Sequence, residues 1–110
     1  MTQDLQSIID LAWEGRANLT SANSPEVRAA VDEVLARLDA GTLRVAERKA
    51  VGEWTVHQWV KKAVLLSFRL NDNRQMGAGD MTFFDKVPTK FGGMSDVALR
   101  PTGVRVVPPA

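Results

Sequence analysis

The stretch VHQWVKKAVLLSFRL, residues 56–70, constrains the fold of this chain more than any other. Val56, Trp59, Val60, Ala63, Val64, Leu66 and Leu70 recur at helical spacing and cover more than one face of a helix. A helix apolar over so much of its girth must be surrounded by other elements, so the fold has to be built around it. Thr55 and Gln58 form a Thr-x-x-Gln pattern that predicts a capping box at its start, and Asn71-Asp72-Asn73 is a turn cluster that ends it. Lys61, Lys62 and Arg69 are placed to reach solvent.

Two earlier segments supply partners. Leu5, Ile8, Ile9, Ala12 and Trp13 fall at i, i+3, i+4, i+7 and i+8, the stripe of an amphipathic helix with Gly15 as its stop. After the linker RANLTSAN, Ser24-Pro25-Glu26 opens a second helix: Ser caps, Pro suits the first helical position, and Glu favours the positive end of the helix dipole. Val27, Ala30, Val31, Val34, Leu35 and Leu38 keep the spacing, and Gly41 closes it where a left-handed residue is needed. The two stripes are expected to face each other or a shared third element.

Beyond Gly41 the period shortens to two. TLRVAE and GEWTVH alternate apolar and polar residues around RKAVG and predict a β-hairpin. Residues 74–110 read as loop-rich, with Gly77, Gly79, Gly92 and Gly93 flanking a brief extended segment at Phe83-Phe84 and MGAGDM as a flexible turn. Ser95 is placed to cap a short helical turn, DVALR, closed by Pro101. VRVV at 104–107 reads as a terminal β-strand, since Val packs well on a pleated surface, and Pro108-Pro109 forces an extended exit. The fold class is therefore mainly α, an α+β domain: helices and hairpin over 1–73, then a loop-rich segment and strand over 74–110.

A length of 110 residues suits one domain with a modest core. With 14 basic and 13 acidic residues the net charge is +1, which gives no electrostatic case for nucleic acid or an anionic membrane surface. There is no cysteine, hence no disulfide, thiol nucleophile or thiolate metal site, and this suits a reducing cytosol. No apolar run approaches a membrane span, and MTQDLQSIID lacks the basic flank and apolar core of a signal peptide. A soluble, cytoplasmic protein is the expectation.

The residues that could carry chemistry are few. His57 is the only histidine; a general-base role is open to it, but a lone His beside Trp54 and Trp59 is more often packed and hydrogen-bonded. One His without a paired Asp or Glu at i, i+4 is not a metal ligand set. Ser67 lies mid-helix outside any Gly-x-Ser-x-Gly setting and reads as structural. No phosphate-binding glycine motif occurs. Lys61-Lys62 beside Trp59 read as a solvated helix face rather than a nucleic-acid contact, and Trp13, Trp54 and Trp59 as core residues. No complete active site is visible.

The stretches LRVAE (43–47), HQWVKKAVLLSFRLNDN (57–73), FFDKVPTKF (83–91) and GVRVVPPA (103–110), together with IIDLAWEGRANLT and VLARLDAGTLRVAE, carry a resemblance. In order and over nearly the whole chain, they resemble the N-terminal region of the tetrahydrodipicolinate N-succinyltransferase family, most weakly over 74–82 and 92–102. That resemblance implies an enzyme of the diaminopimelate route to lysine. It also implies that the segment matching GVRVVPPA leads into a left-handed parallel β-helix of hexapeptide repeats, which trimerises and holds most of the active site. No such repeats occur before Ala110, so the chain looks like the N-terminal domain alone.

What the family implies for chemistry is direct transfer of a succinyl group from succinyl-CoA, a co-substrate rather than a resident cofactor, to the acceptor tetrahydrodipicolinate. The amine attacks the thioester without an acyl-enzyme, and a carboxylate from the β-helix assists, so no catalytic residue is expected within this chain. One substrate-binding residue maps inside it, Arg105, whose guanidinium could clasp an acceptor carboxylate bidentately. By itself Arg105 would read as an exposed strand arginine covering apolar surface. Lys86 and Lys90 read as loop lysines without a carried-over role. The alternative is a free-standing, non-catalytic helical interaction or oligomerisation module.

Overall fold

The computed structural model describes residues 2–109. Helix α1 (Thr2–Glu14), helix α2 (Pro25–Ala40) and helix α3 (Gln58–Leu70) pack on one another and enclose the core. The stripes expected from sequence supply it: Leu5, Ile9 and Ala12 from α1, Ala30, Val31 and Val34 from α2, and Trp59, Val60, Ala63, Leu66 and Leu70 from α3. Those five residues of α3 recur at i, i+1, i+4, i+7 and i+11, one broad stripe wide enough to meet both neighbours. Leu65 and Phe68 on its far side remain partly exposed.

The helix ends are made differently from one another. Gly41 closes α2 at φ 79°, a conformation only glycine enters cheaply, with its N–H bonded back to the last carbonyls of the helix. At the start of α2, Pro25 occupies the first turn as expected, but Ser24 makes no capping bond; its Oγ is held by Asn23 Oδ1 at 3.1 Å. The capping box expected at Thr55 and Gln58 does not form either. Thr55 is paired with Glu47 in a hairpin, so helix α3 begins only at Gln58 with His57 at its cap position.

The C-terminus of α3 is closed by a residue far away in sequence. Arg28 of α2 donates to the Leu70 carbonyl and, at 3.1 Å, to Asn71 Oδ1, while Asn71 Nδ2 donates to the Ser67 carbonyl at 2.9 Å. Helix termini leave their last carbonyls without intrahelical donors, and here a guanidinium from a neighbouring helix supplies them.

Strand β1 (Ala46–Ala50) pairs antiparallel with β2 (Glu53–Val56), with a bulge between Arg48 and Ala50. This is the expected hairpin, with its first strand starting later than the alternation suggested. Trp54, expected in the core, is 64% exposed, because it stands opposite Arg48 on the outer face of the pair. Trp59 is buried and Trp13 half-buried under the Arg16 guanidinium, 4.1 Å from the ring centre.

Residues 74–85, expected as loop around a short extended piece, form a second antiparallel hairpin: β3 (Arg74–Ala78) and β4 (Met81–Asp85), turning at Gly79 with φ 62°. Sequence MGAGDM is its turn, and Phe83 faces Met76 across the ladder. A short helix α4 (Asp96–Leu99) follows, its Ser95 cap accepting from the Ala98 N–H at 3.2 Å as anticipated. The expected terminal strand is absent: residues 104–107 lie in no ladder and pair with neither hairpin, although both are two-stranded sheets with open edges. Ala110 lies outside the described residues.

The C-terminal third contributes nothing to the core. No described residue beyond Leu70 is buried. The radius of gyration, 16.6 Å, exceeds the roughly 13 Å of a compact domain of this length, as expected if that third projects from the bundle.

Candidate functional site

Arg105 follows a tightly organised corner. Helix α4 runs into a 3-10 turn (Arg100–Thr102) that ends on Gly103 at φ 71°. Thr102 Oγ1 donates to the Leu99 carbonyl at 2.7 Å and accepts from the Val104 N–H at 3.2 Å, so one hydroxyl fixes the direction in which the chain leaves. Arg100 is committed to Asp96 one turn earlier. Arg105 itself is exposed and, among the described residues, has no hydrogen-bond or ion-pair partner. Its neighbours Val104, Val106 and Val107 are 46%, 45% and 50% exposed. A shallow cleft of about 460 Å³ lined by Asp96, Leu99, Arg100 and Val104 adjoins this segment.

His57 stands at a different place. Its backbone N–H donates to the Val45 carbonyl at 2.7 Å, and its Nε2 lies 2.6 Å from Glu47 Oε1. An ionised carboxylate can only accept, so Nε2 carries the proton of this bond. The bond from His57, then the hydrogen bond and charge of Lys49 at 3.3 Å, hold the Glu47 carboxyl below its ordinary value of 4.5. His57 also lines an open cleft of about 330 Å³ with Gln6, Asp10, Val56, Gln58, Trp59 and Lys62. Within it Lys62 is bound to Asp10 at 3.2 Å. The packed, hydrogen-bonded reading of His57 is therefore the one the geometry supports.

Of the remaining candidates, Ser67 is buried and donates to the Val64 carbonyl at 2.6 Å, a structural role. Lys90 is paired with Asp39 at the end of α2, and Lys86 is half-buried. Lys61 is exposed, whereas Lys62 is tied to α1 through Asp10. The structure brings His57 and Lys62 to one cleft; Arg105 lines neither cleft. Sequence reasoning missed Arg28, Glu47 and Asp10. Arg28 and Asp10 act across 43 and 52 residues, a separation at which no local spacing pattern exists to reveal them.

The arrangement defines a class: a small α+β domain that presents an uncommitted guanidinium on an exposed terminal segment, without an enclosed active site among the described residues. The sequence model of the family described as tetrahydrodipicolinate N-succinyltransferase N-terminal matches residues 4–70, well over half of the chain, and the chain belongs to that family. It is 68% identical to the 2,3,4,5-tetrahydropyridine-2,6-dicarboxylate N-succinyltransferase of Leptothrix cholodnii and 65% identical to those of Albidiferax ferrireducens and Delftia acidovorans. Each match covers the whole of this chain but only 40% of the relative, so the chain spans about two fifths of the length of the curated relatives it matches.

Proposed function

We propose that this chain is the N-terminal part of an acyltransferase that moves a succinyl group from succinyl-CoA to tetrahydrodipicolinate in the diaminopimelate route of lysine biosynthesis. The observation that carries this reading is the match along its entire length to relatives bearing that name. In the reaction water first adds across the acceptor's ring C=N bond to give an amine; that nitrogen attacks the thioester carbonyl, the C–N bond forms as the C–S bond breaks, and the nitrogen's proton passes to a base while CoA leaves as its thiol. A site for this needs a cation for the acceptor's carboxylates, a groove for CoA and a base.

Of these three, the chain supplies the first. Arg105 is exposed and free of internal partners, so its charge need not be withdrawn from another contact to meet a substrate carboxylate. The base and the CoA groove are assigned to the part of the longer protein beyond this chain, which would assemble as a cytoplasmic homotrimer. No helix among the described residues is long and apolar enough to cross a membrane. The test is a thioester-cleavage assay with succinyl-CoA and the acceptor, run on the full-length protein and on residues 1–110 alone. Acceptor-dependent turnover by the full-length protein and none by the shorter chain is expected; no turnover by the full-length protein would favour a non-catalytic interaction module.

A further inference from the structure

The hairpin β3–β4 has the composition of a buried element and the exposure of a free one. All five residues of β4 are exposed, with Met81 at 41%, Phe83 at 40% and Phe84 at 71%. Side chains alternate across the ladder, so Met76, Met81 and Phe83 share one face and Phe84 stands on the other beside Gln75. Among the described residues no further strand pairs with either edge, and every residue of the hairpin's two strands except Met76 is exposed. A lone two-stranded hairpin is marginal in water, and the entropy of ordering it is offset only by apolar burial that the described residues do not provide.

Resting on the reading that a longer polypeptide continues beyond this chain, we propose that β3–β4 is a docking arm whose Met76–Met81–Phe83 face and Phe84 are covered by the C-terminal remainder of the same polypeptide. Two observations choose this occupant. The curated relatives carry the remaining three fifths of their length outside the matched region, enough chain to build a surface. A surface tethered to the same chain meets the hairpin at a high effective concentration, before any subunit assembles. The covering surface is apolar where it meets Phe83 and Phe84, and at the base of the hairpin it meets the facing pair Arg74 and Asp85.

Hydrogen exchange followed by mass spectrometry on the full-length protein tests this, with the amides of α3 as internal reference. The amides of Met81–Asp85 are expected to exchange at least roughly a hundredfold more slowly than in an unprotected chain, at all protein concentrations. In the double variant Phe83→Ser, Phe84→Ser that protection is expected to fall while α3 stays protected. Unprotected Met81–Asp85 amides in the wild type would overturn the proposal, and because this arm needs no variant, a misfolded double mutant leaves it decisive. Protection that vanishes on dilution together with subunit dissociation would assign the cover to a second copy and also overturn it. A gene product whose intact mass ends near residue 110 would instead remove the longer protein itself, and with it the functional reading.

Discussion

His57 Nε2 lies 2.6 Å from Glu47 Oε1, and this single bond ties the first strand of the β1–β2 hairpin to the residue that opens helix α3. The backbone supports the same junction, since the His57 N–H is bonded to the Val45 carbonyl. The only histidine of the chain thus serves as a joint between a hairpin and the central helix.

Glu47 makes this joint pH-dependent. The His57 bond and the neighbouring Lys49 hold its carboxyl below 4.5, so its contribution to stability is fully present above that value and is lost as pH falls through the lower folded value. Glu47→Gln removes the charge but keeps an acceptor. The variant is expected to melt below the wild type at pH 7, and the gap is expected to close as pH drops below 4.5 into the range where wild-type Glu47 is itself protonated. Melting temperatures measured across that range check this; a gap that widens on acidification would contradict it.

Arg28 is expected to matter for stability more than its half-exposed position suggests. Its guanidinium supplies the Leu70 carbonyl and Asn71 Oδ1 at the end of α3. Arg28→Met keeps much of the aliphatic stem and leaves those acceptors without their donor, at an expected cost of about 1–3 kcal/mol. Urea unfolding of the two proteins measures it. A change within a few tenths of a kcal/mol would mean that water replaces the guanidinium without loss.

The contrast between Leu65 and Leu66 tests whether α3 is surrounded. Leu66 is fully buried and Leu65 is 38% exposed. Leu66→Ala is expected to cost about 2–5 kcal/mol, while Leu65→Ala should cost well under half of that. Equal losses would mean that α3 is rotated from the orientation described here.

What could be read from the sequence and what could not separate along a physical line. The stripes of α1, α2 and α3 were legible because burial on a helix imposes a period on the residues themselves, and Gly41 because only one conformation closes that turn. The Thr55–Gln58 pattern misled because a short cap motif competes with strand pairing, and Glu47 across the ladder won Thr55. Trp54 misled because its size suggests burial, whereas the hairpin's pleat decided its face. The second hairpin was hidden by glycines that weaken a strand signal yet make its turn. The strand expected at 104–107 lacks a partner among the described residues, and no amount of β-branched sequence makes a ladder by itself. Arg105 stood out only through family resemblance, since an exposed arginine has no local signature of what it binds.

Arg105 yields the sharpest expectation, because its structural and functional roles predict opposite results. The side chain is exposed and has no partner among the described residues, so Arg105→Ala in residues 1–110 should leave the melting temperature unchanged within error. If, in the full-length acyltransferase proposed above, it meets a substrate carboxylate, the same substitution removes a charge-assisted hydrogen bond. Such a bond contributes about 1.5–3 kcal/mol, or about ten- to a hundredfold in kcat/KM for the acceptor. The kinetic constant for succinyl-CoA should move far less, because the lost contact belongs to the acceptor alone. Steady-state kinetics of full-length Arg105→Ala with each substrate varied in turn separates the two. Arg105→Lys should recover only part of the loss, since an ammonium keeps the charge but not the two-pronged geometry. An unchanged acceptor constant, or a lowered melting temperature in residues 1–110, would make Arg105 a surface residue that shields Val104 and Val106 rather than a ligand for the substrate.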